Sequence, residues 1–287
     1  MRVSTFQNAN WAKNELMRLS SQQQYHLNQV ASGKKNIFMS EDPLAASKSF
    51  AIQHSLANIG QMQKDLADSK SVLKQTESTL QGVYKSLTRV NELTTQALNG
   101  TNGPEELKAI GAEVDELLKQ VVYLANTKER GQYIFGGDDA TQPPFKEDGT
   151  YQGGENDVKW TLNDGYELKV FRNGEDVFSP TIETLMKIKD ALQNGDQEAL
   201  RPLLEENGQN LDKVLNTTTE IGSIINTLDA FDTILKEQNI ALSENKKEIE
   251  DVDLAAAISD LAYMNAAYEA TLKAVSTMNK ISILDYM

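Results

Sequence analysis

Between Leu44 and Leu98 the apolar positions fall into two lanes. Ile52, Ile59, Leu66, Leu73, Leu80 and Leu87 recur every seven residues, and Met62, Ser69, Thr76, Val83, Val90 and Ala97 follow three residues later. That alternation of three and four is the seam of a helix packed along its length on other helices. Asp42 is placed to cap it, and Pro43 suits the first helical position. At about 1.5 Å per residue, the 55-residue run predicts a rod of about 80 Å. Burying the Ile/Leu side chains of the first lane is worth roughly 9 to 18 kcal/mol before entropy. Such a helix requires partners of similar length.

The partners are legible further along. Asn99 to Pro104 reads as a turn, after which Leu107, Ile110, Val114, Leu117, Val121 and Leu124 alternate by three and four, predicting a helix antiparallel to the first. A further long helix carries Ile221, Leu228, Leu235, Leu242 and Ile249 in one lane and Ile224, Phe231, Gln238, Asn245 and Val252 in the other. Gln238 and Asn245 in that seam are expected to weaken packing and fix register. After Glu250-Asp251-Val252-Asp253 the phase slips, and a new stripe begins at Leu254. The slip predicts a domain boundary inside a nominally continuous helix.

From about Gly136 to Phe178 the pattern changes. Pro143-Pro144, Asp148-Gly149, Gly153-Gly154, Asp164-Gly165 and Asn173-Gly174 punctuate short runs such as Val158 to Leu162 and Glu167 to Arg172. These are β-hairpin signals. A module this small has a small core, expected around Trp160, Tyr166 and Phe171, and is expected to lean on the helices. Ser179-Pro180 then restarts helix, with Ile182, Leu185, Ile188 and Leu192 on one face. The predicted fold is mainly α: a long antiparallel helical rod or coiled coil formed by the N- and C-terminal halves, with a small inserted β-rich module.

Composition changes the picture most at the two ends. Neither Val3–Ser32 nor Ser223–Met287 contains Gly or Pro, and from Leu254 on the charges are Asp260, Glu269, Lys273, Lys280 and Asp285. A helix on the surface of a monomer keeps a charged face toward water. These ends lack one, so they either stay disordered until partners cover them or pack on several sides within a larger structure. The whole chain of 287 residues has a net charge of −14, distributed as +4 over residues 1–100 and −18 over the rest. That balance argues against a nucleic-acid partner, since phosphate neutralisation needs a basic surface. No run of about 18 apolar residues exists, so no membrane insertion is expected. Met1 to Asn8 lacks the apolar core of a secretory signal.

Candidate chemistry is sparse. There is no cysteine, and His26 and His54 are the two histidines. Each reads as a packing residue within a helix, not a ligand. Phosphate-loop, His-Glu-x-x-His and Gly-x-Ser-x-Gly motifs are absent. Asp138, Asp139, Glu147, Asp148, Glu155 and Asp157 do not follow a calcium-loop spacing and read as solvated turn acids. No catalytic residue, metal or cofactor is expected, and an enzyme is the weakest functional class. A signalling coiled coil would need a sensor module or membrane segment that the chain does not offer.

Several motifs carry a resemblance. Gln29 to Lys35, Ser40-Glu41-Asp42-Pro43-Leu44-Ala45-Ala46, Gly131 to Gly137, Glu220-Ile221-Gly222 and the ending Ser282 to Met287 resemble the bacterial flagellin superfamily, on its hook-associated side. Flagellin itself usually reads Asp-Asp-Ala-Ala-Gly where this chain has Glu41-Asp42-Pro43, and its outward module is larger. The filament subunit is therefore the alternative reading.

The resemblance implies an inner coiled-coil domain from residues 1–42 and 254–287, a helical rod domain from 43–135 and 181–253, and an outward β-rich domain at 136–180. It implies a non-enzymatic hook-filament junction adaptor, extracellular, exported by the flagellar type III route without a cleavable signal. The implied partners are hook-associated protein 1, flagellin, copies of the chain itself in a ring, and an export chaperone. Subunit packing then falls to Phe6, Leu16, Leu19, Leu27 and Val30 at one end and Leu254, Ile258, Leu261, Tyr268, Leu272 and Val275 at the other.

Overall fold

The computed structural model describes residues 2–99, 103–146, 148–163 and 166–284. Helices α1 (Arg2–Ser32), α2 (Pro43–Leu98), α3 (Pro104–Ala125), α4 (Glu175–Asn194), α5 (Gln197–Glu250) and α6 (Leu254–Leu284) account for most of it. Strands β1 (Lys128–Glu129), β2 (Gln132–Tyr133), β3 (Val158–Asn163) and β4 (Tyr166–Phe171) lie between α3 and α4. The chain gathers into two units, Met1–Ile59 with Lys236–Met287, and Gly60–Leu235, so α2 and α5 each pass through both. The β-rich segment belongs to the second.

The second unit is a bundle of antiparallel helices. Along α2 and α5, Lys70 pairs with Asp229, Asn207 Nδ2 donates to Leu87 O at 3.1 Å, and Gln197 Nε2 donates to Ala97 O at 3.2 Å. Rising numbers on one helix meet falling numbers on the other. The same holds for α2 and α3, where Arg89 Nε meets Glu113 Oε1 at 2.8 Å and Gly82 lies beside Leu124. In the α2 seam, Leu66, Leu73, Leu80 and Leu87 are buried, as are Ser69, Thr76, Val83, Val90 and Ala97. A third buried lane, Val72, Thr79, Ser86 and Leu93, widens the stripe, because the helix is covered by more than one neighbour. Its hydroxyls need no partner from another helix: Ser69, Thr76, Thr79, Ser86 and Thr94 each donate to the carbonyl four residues back.

Two expectations for the helices are corrected. Gln238 and Asn245 are exposed; the seam of α5 that is buried runs Leu200, Leu203, Asn207, Asn210, Val214, Ile221, Ile225, Leu228 and Leu235. Register there is held by Asn207, whose Nδ2 also reaches Asn91 Oδ1 at 2.9 Å, and by Asn210, which donates to Thr184 Oγ1 at 3.0 Å. The helix expected to restart at Ser179-Pro180 begins earlier, at Glu175. Asn173 Oδ1 accepts from the Glu175 N–H at 2.8 Å and so satisfies one donor of its first turn. Its expected face, Ile182, Leu185, Ile188 and Leu192, is buried.

The β-rich segment contains two antiparallel hairpins, β1 with β2 and β3 with β4. Arg130 (φ 52°) and Gly131 (φ 83°) form the two-residue turn of the first, both left-handed as its twist requires. Phe171 is buried as expected, whereas the Trp160 and Tyr166 side chains lie outside the described residues. The core that the structure does show is an aromatic cluster. Phe135 and Phe178 meet edge to face at 4.7 Å, and Phe145 lies 5.6 Å from Phe178 and 5.1 Å from Tyr151. Phe178 belongs to α4, and Asn126, just after α3, exchanges two hydrogen bonds with the Phe145 backbone. The segment between the two hairpins therefore rests on the bundle.

Candidate functional site

The first unit is where the low-charge ends meet. Ala12 and Leu19 of α1 and Ala257 of α6 are buried, and Gln23 Nε2 donates to Asn265 Oδ1 at 2.7 Å. With Lys34 opposite Asp251 in an isolated antiparallel bridge, the two helices pair head to tail. Of the residues expected to pack between subunits, Leu19 is spent on this internal contact. Leu16, Val30, Leu261, Tyr268 and Val275 are half-buried. Leu27, Leu254, Ile258 and Leu272 stay exposed, from 43% for Leu272 to 54% for Ile258. The Phe6 side chain lies outside the described residues.

Pattern reading missed a second group. Trp11, Met17 and Tyr263 stand off the stripe yet are exposed, as are Phe38, Met39, Leu44 and Phe50 around the turn into α2. An apolar pair such as Phe38-Met39 in a polar loop was the available signal. Of the 16 exposed large apolar side chains among the described residues, 12 belong to this unit, although it is the smaller of the two. Its surface, not that of the bundle, is short of polar cover. An open groove of about 670 Å³ includes Leu16, Met17, Tyr25, Phe38 and Tyr268 in its walls. A pocket of about 260 Å³ nearby is walled by Ile37, Phe38, Met39, Ala46, Phe50 and Ile249.

Beside that pocket the two chain crossings are tied together. α5 and α6 are separate helices, not one: Asp251 to Asp253 interrupt them, and Asp253 Oδ1 accepts from Ala255 N at 2.9 Å to start α6. Asp42 does the same for α2, accepting from Ala45 N at 2.9 Å. Between α1 and α2, Gly33 (φ 70°) turns the chain so that its carbonyl accepts from Val252 N at 2.9 Å, while Lys35 N donates to Glu250 O at 2.7 Å.

The Glu250 carboxylate, 17% exposed, accepts from Lys34 Nζ at 2.8 Å and from the Ser49 hydroxyl. Burial works to raise this carboxyl, but the bonds from Lys34 and Ser49 and the charges of Lys34 and Lys246 outweigh it and hold it below the usual carboxylate range. A depressed folded-state value stabilises above the ordinary range and loses that contribution as pH falls through it. Acid unfolding monitored by circular dichroism should therefore show the wild-type chain more stable than Glu250→Gln at neutral pH, with the gap closing in acid; a gap that is independent of pH would contradict this assignment.

The histidines and turn acids of the sequence make local contacts. His26 Nδ1 lies 3.0 Å from Gln29 Oε1 and His54 Nδ1 3.3 Å from Asn58 Nδ2, each within its own helix. Asp138 bonds Asn156, Asp139 bonds Thr141, Asp148 bonds Thr150, and Asp157 bonds Asn173 and Lys169. Glu147 lies outside the described residues. Among the described residues, no group of three or more His, Asp or Glu is placed to hold a metal ion, and no helix is long and apolar enough to cross a membrane.

The bacterial flagellin N-terminal helical region matches residues 3–140, and the bacterial flagellin C-terminal helical region matches residues 204–287. A flagellar hook-associated protein 3 of Escherichia coli (strain K12) is 24% identical, over 89% of this chain and 90% of its own. The crystal structure of Bacillus cereus FlgL is 69% identical, with a TM-score of 0.64, and spans 69% of this chain and 99% of its own. A phase 1 flagellin of Salmonella naestved is 24% identical over 63% of this chain, and the match takes in only 35% of that flagellin.

Proposed function

The chain belongs to the bacterial flagellin family, and we infer from its relatives that it is a structural subunit of the flagellum, seated at the junction of hook and filament. One observation carries the choice of junction over filament. Likeness to the hook-associated protein extends over nearly the whole of both chains, whereas likeness to flagellin stops at about a third of the flagellin.

The finer parts of the reading are ours. Hook-associated protein 1 lies on one side, flagellin on the other, and copies of this chain close a ring between them. The chain reaches that place through the flagellar type III route, with an export chaperone, and performs no catalysis. Residues 1–42 and 254–287 form the inner domain, 43–135 and 181–253 the rod, and 136–180 the outward module. Leu27, Leu254, Ile258 and Leu272, exposed in the single chain, dock on neighbouring subunits together with Phe6, Leu16, Val30, Leu261, Tyr268 and Val275, and Leu19 supports them from inside the pair. The support is physical: apolar side chains left open at this density are covered in an assembly.

Deleting the gene in its own bacterium tests the role. Hooks without filaments, with flagellin monomers in the medium, are the expected result in electron micrographs and culture supernatants. Loss of the main filament protein itself would make the chain a flagellin, and intact filaments with normal swimming would remove it from the flagellum's assembly path.

A further inference from the structure

Glu250 is a point where segments distant in sequence converge. Its carbonyl takes the Lys35 N–H, one carboxylate oxygen takes Lys34 Nζ, and the other takes the Ser49 hydroxyl of α2, with Lys246 Nζ 3.9 Å away one turn earlier on α5. The crossing is anchored on each side as well. Gln29 Nε2 donates to Lys35 O at 2.7 Å and Gly33 N donates to Gln29 O at 2.8 Å, which fasten it to the last turn of α1. Asp251 N donates to Lys247 O at 2.8 Å, which fastens it to the last turn of α5. Exposed ion pairs contribute little because water competes for both charges. Glu250 differs, being mostly buried and bonded at both oxygens.

Beyond the crossing the ties thin out. Among the described residues, one side-chain hydrogen bond, from Gln23 to Asn265, spans α1 and α6, and the side chains buried on the two helices, Ala12, Leu19 and Ala257, are apolar and make non-directional contacts. An apolar contact of that kind does not by itself choose a register. A slip of one residue turns a helix by about 100° and would turn the face of α6 that carries Leu254, Ile258 and Leu272 in another direction.

We propose that the crossing is a register clamp with Glu250 as its bolt, holding Gly33–Lys35 against Glu250–Val252 whether or not α1 and α6 are closed on each other. The terminal helices then open and re-close in a single alignment, the one that presents the exposed apolar residues together. The purpose assigned to the clamp rests on the reading of the terminal pair as the assembly surface. The clamp itself does not, because it is measured on the free chain.

Amide hydrogen exchange on the free full-length protein at neutral pH, resolved to single residues, tests it. In the wild type the Lys35 and Val252 amides should exchange at least about ten-fold more slowly than amides in the middle of α1 and α6. Glu250→Ala should speed those two amides about ten-fold, the ratio expected for loss of a charge-assisted hydrogen bond, and leave Leu87 and Val214 in the bundle unchanged. Lys34→Gln, a milder change at a half-exposed side chain, should move the same two amides in the same direction by a smaller factor. Three results would overturn the clamp: Lys35 and Val252 exchanging together with the helix middles in the wild type, no response to either variant, or equal acceleration at Leu87 and Val214, which would make Glu250 a general stability residue.

Discussion

Leu272→Asp should leave the free chain folded and keep it out of the growing flagellum. Leu272 lies on α6, 43% exposed in the single chain, so a carboxylate there meets water and unfolding by heat or urea should shift by less than about 0.5 kcal/mol. In the assembly the same position would be covered, and an unpaired buried charge costs several kcal/mol per copy. Repeated at every copy, that penalty would exclude the variant. Complementation of the deletion strain should therefore give hooks without filaments. Leu261→Asp is the informative companion. Leu261 is half-buried, so this variant should block assembly and also loosen the terminal pair. Normal filaments with Leu272→Asp would remove α6 from the assembly surface.

Phe178→Ala should produce the largest loss of stability of any change considered, about 3 to 5 kcal/mol. Phe178 is fully buried and is the side chain of α4 that the rings of Phe135 and Phe145 both touch. Removing it opens a cavity between Phe135 and Phe145, and edge-to-face aromatic contacts add to the loss of buried area. The change should appear in the urea midpoint of the bundle, with circular dichroism of the helices following it. By contrast, Trp11→Ala should leave the same midpoint in place, since Trp11 is 60% exposed. A loss below about 1 kcal/mol for Phe178→Ala would mean that the bundle does not depend on this cluster.

The heptads of α2 were legible because every seventh side chain is committed to one face, and the pattern repeats often enough to exclude other readings. The end of α5 was not. Gln238 and Asn245 continue the lane arithmetically, but none of the described residues from Lys236 to Glu250 is fully buried, so the lane there has no seam to mark. Asn207 and Asn210 escaped notice for the opposite reason. They are polar, yet buried, and their partners are carbonyl and side-chain groups on other helices that no local pattern announces. The start of α4 was hidden because Pro180 looks like a first-turn residue, whereas the first-turn donor is satisfied by Asn173. At the terminal pair, sequence spacing found the apolar stripe but could not divide it. Leu19 and Leu272 look alike in the pattern, and only the pairing of α1 with α6 makes one internal and leaves the other open.

The Lys34 to Glu250 contact joins residues 216 apart in sequence, and this sets an order of events. Gly60–Leu235 is one uninterrupted stretch, so the bundle has all its parts before Lys236–Met287 is synthesised. The other unit joins segments from both sides of that stretch, α1 with α6, and closing so long a loop is entropically slower than forming the local contacts of the bundle. Pairing of α1 with α6 is thereby a late step of folding, dependent on a bundle that needs neither of them.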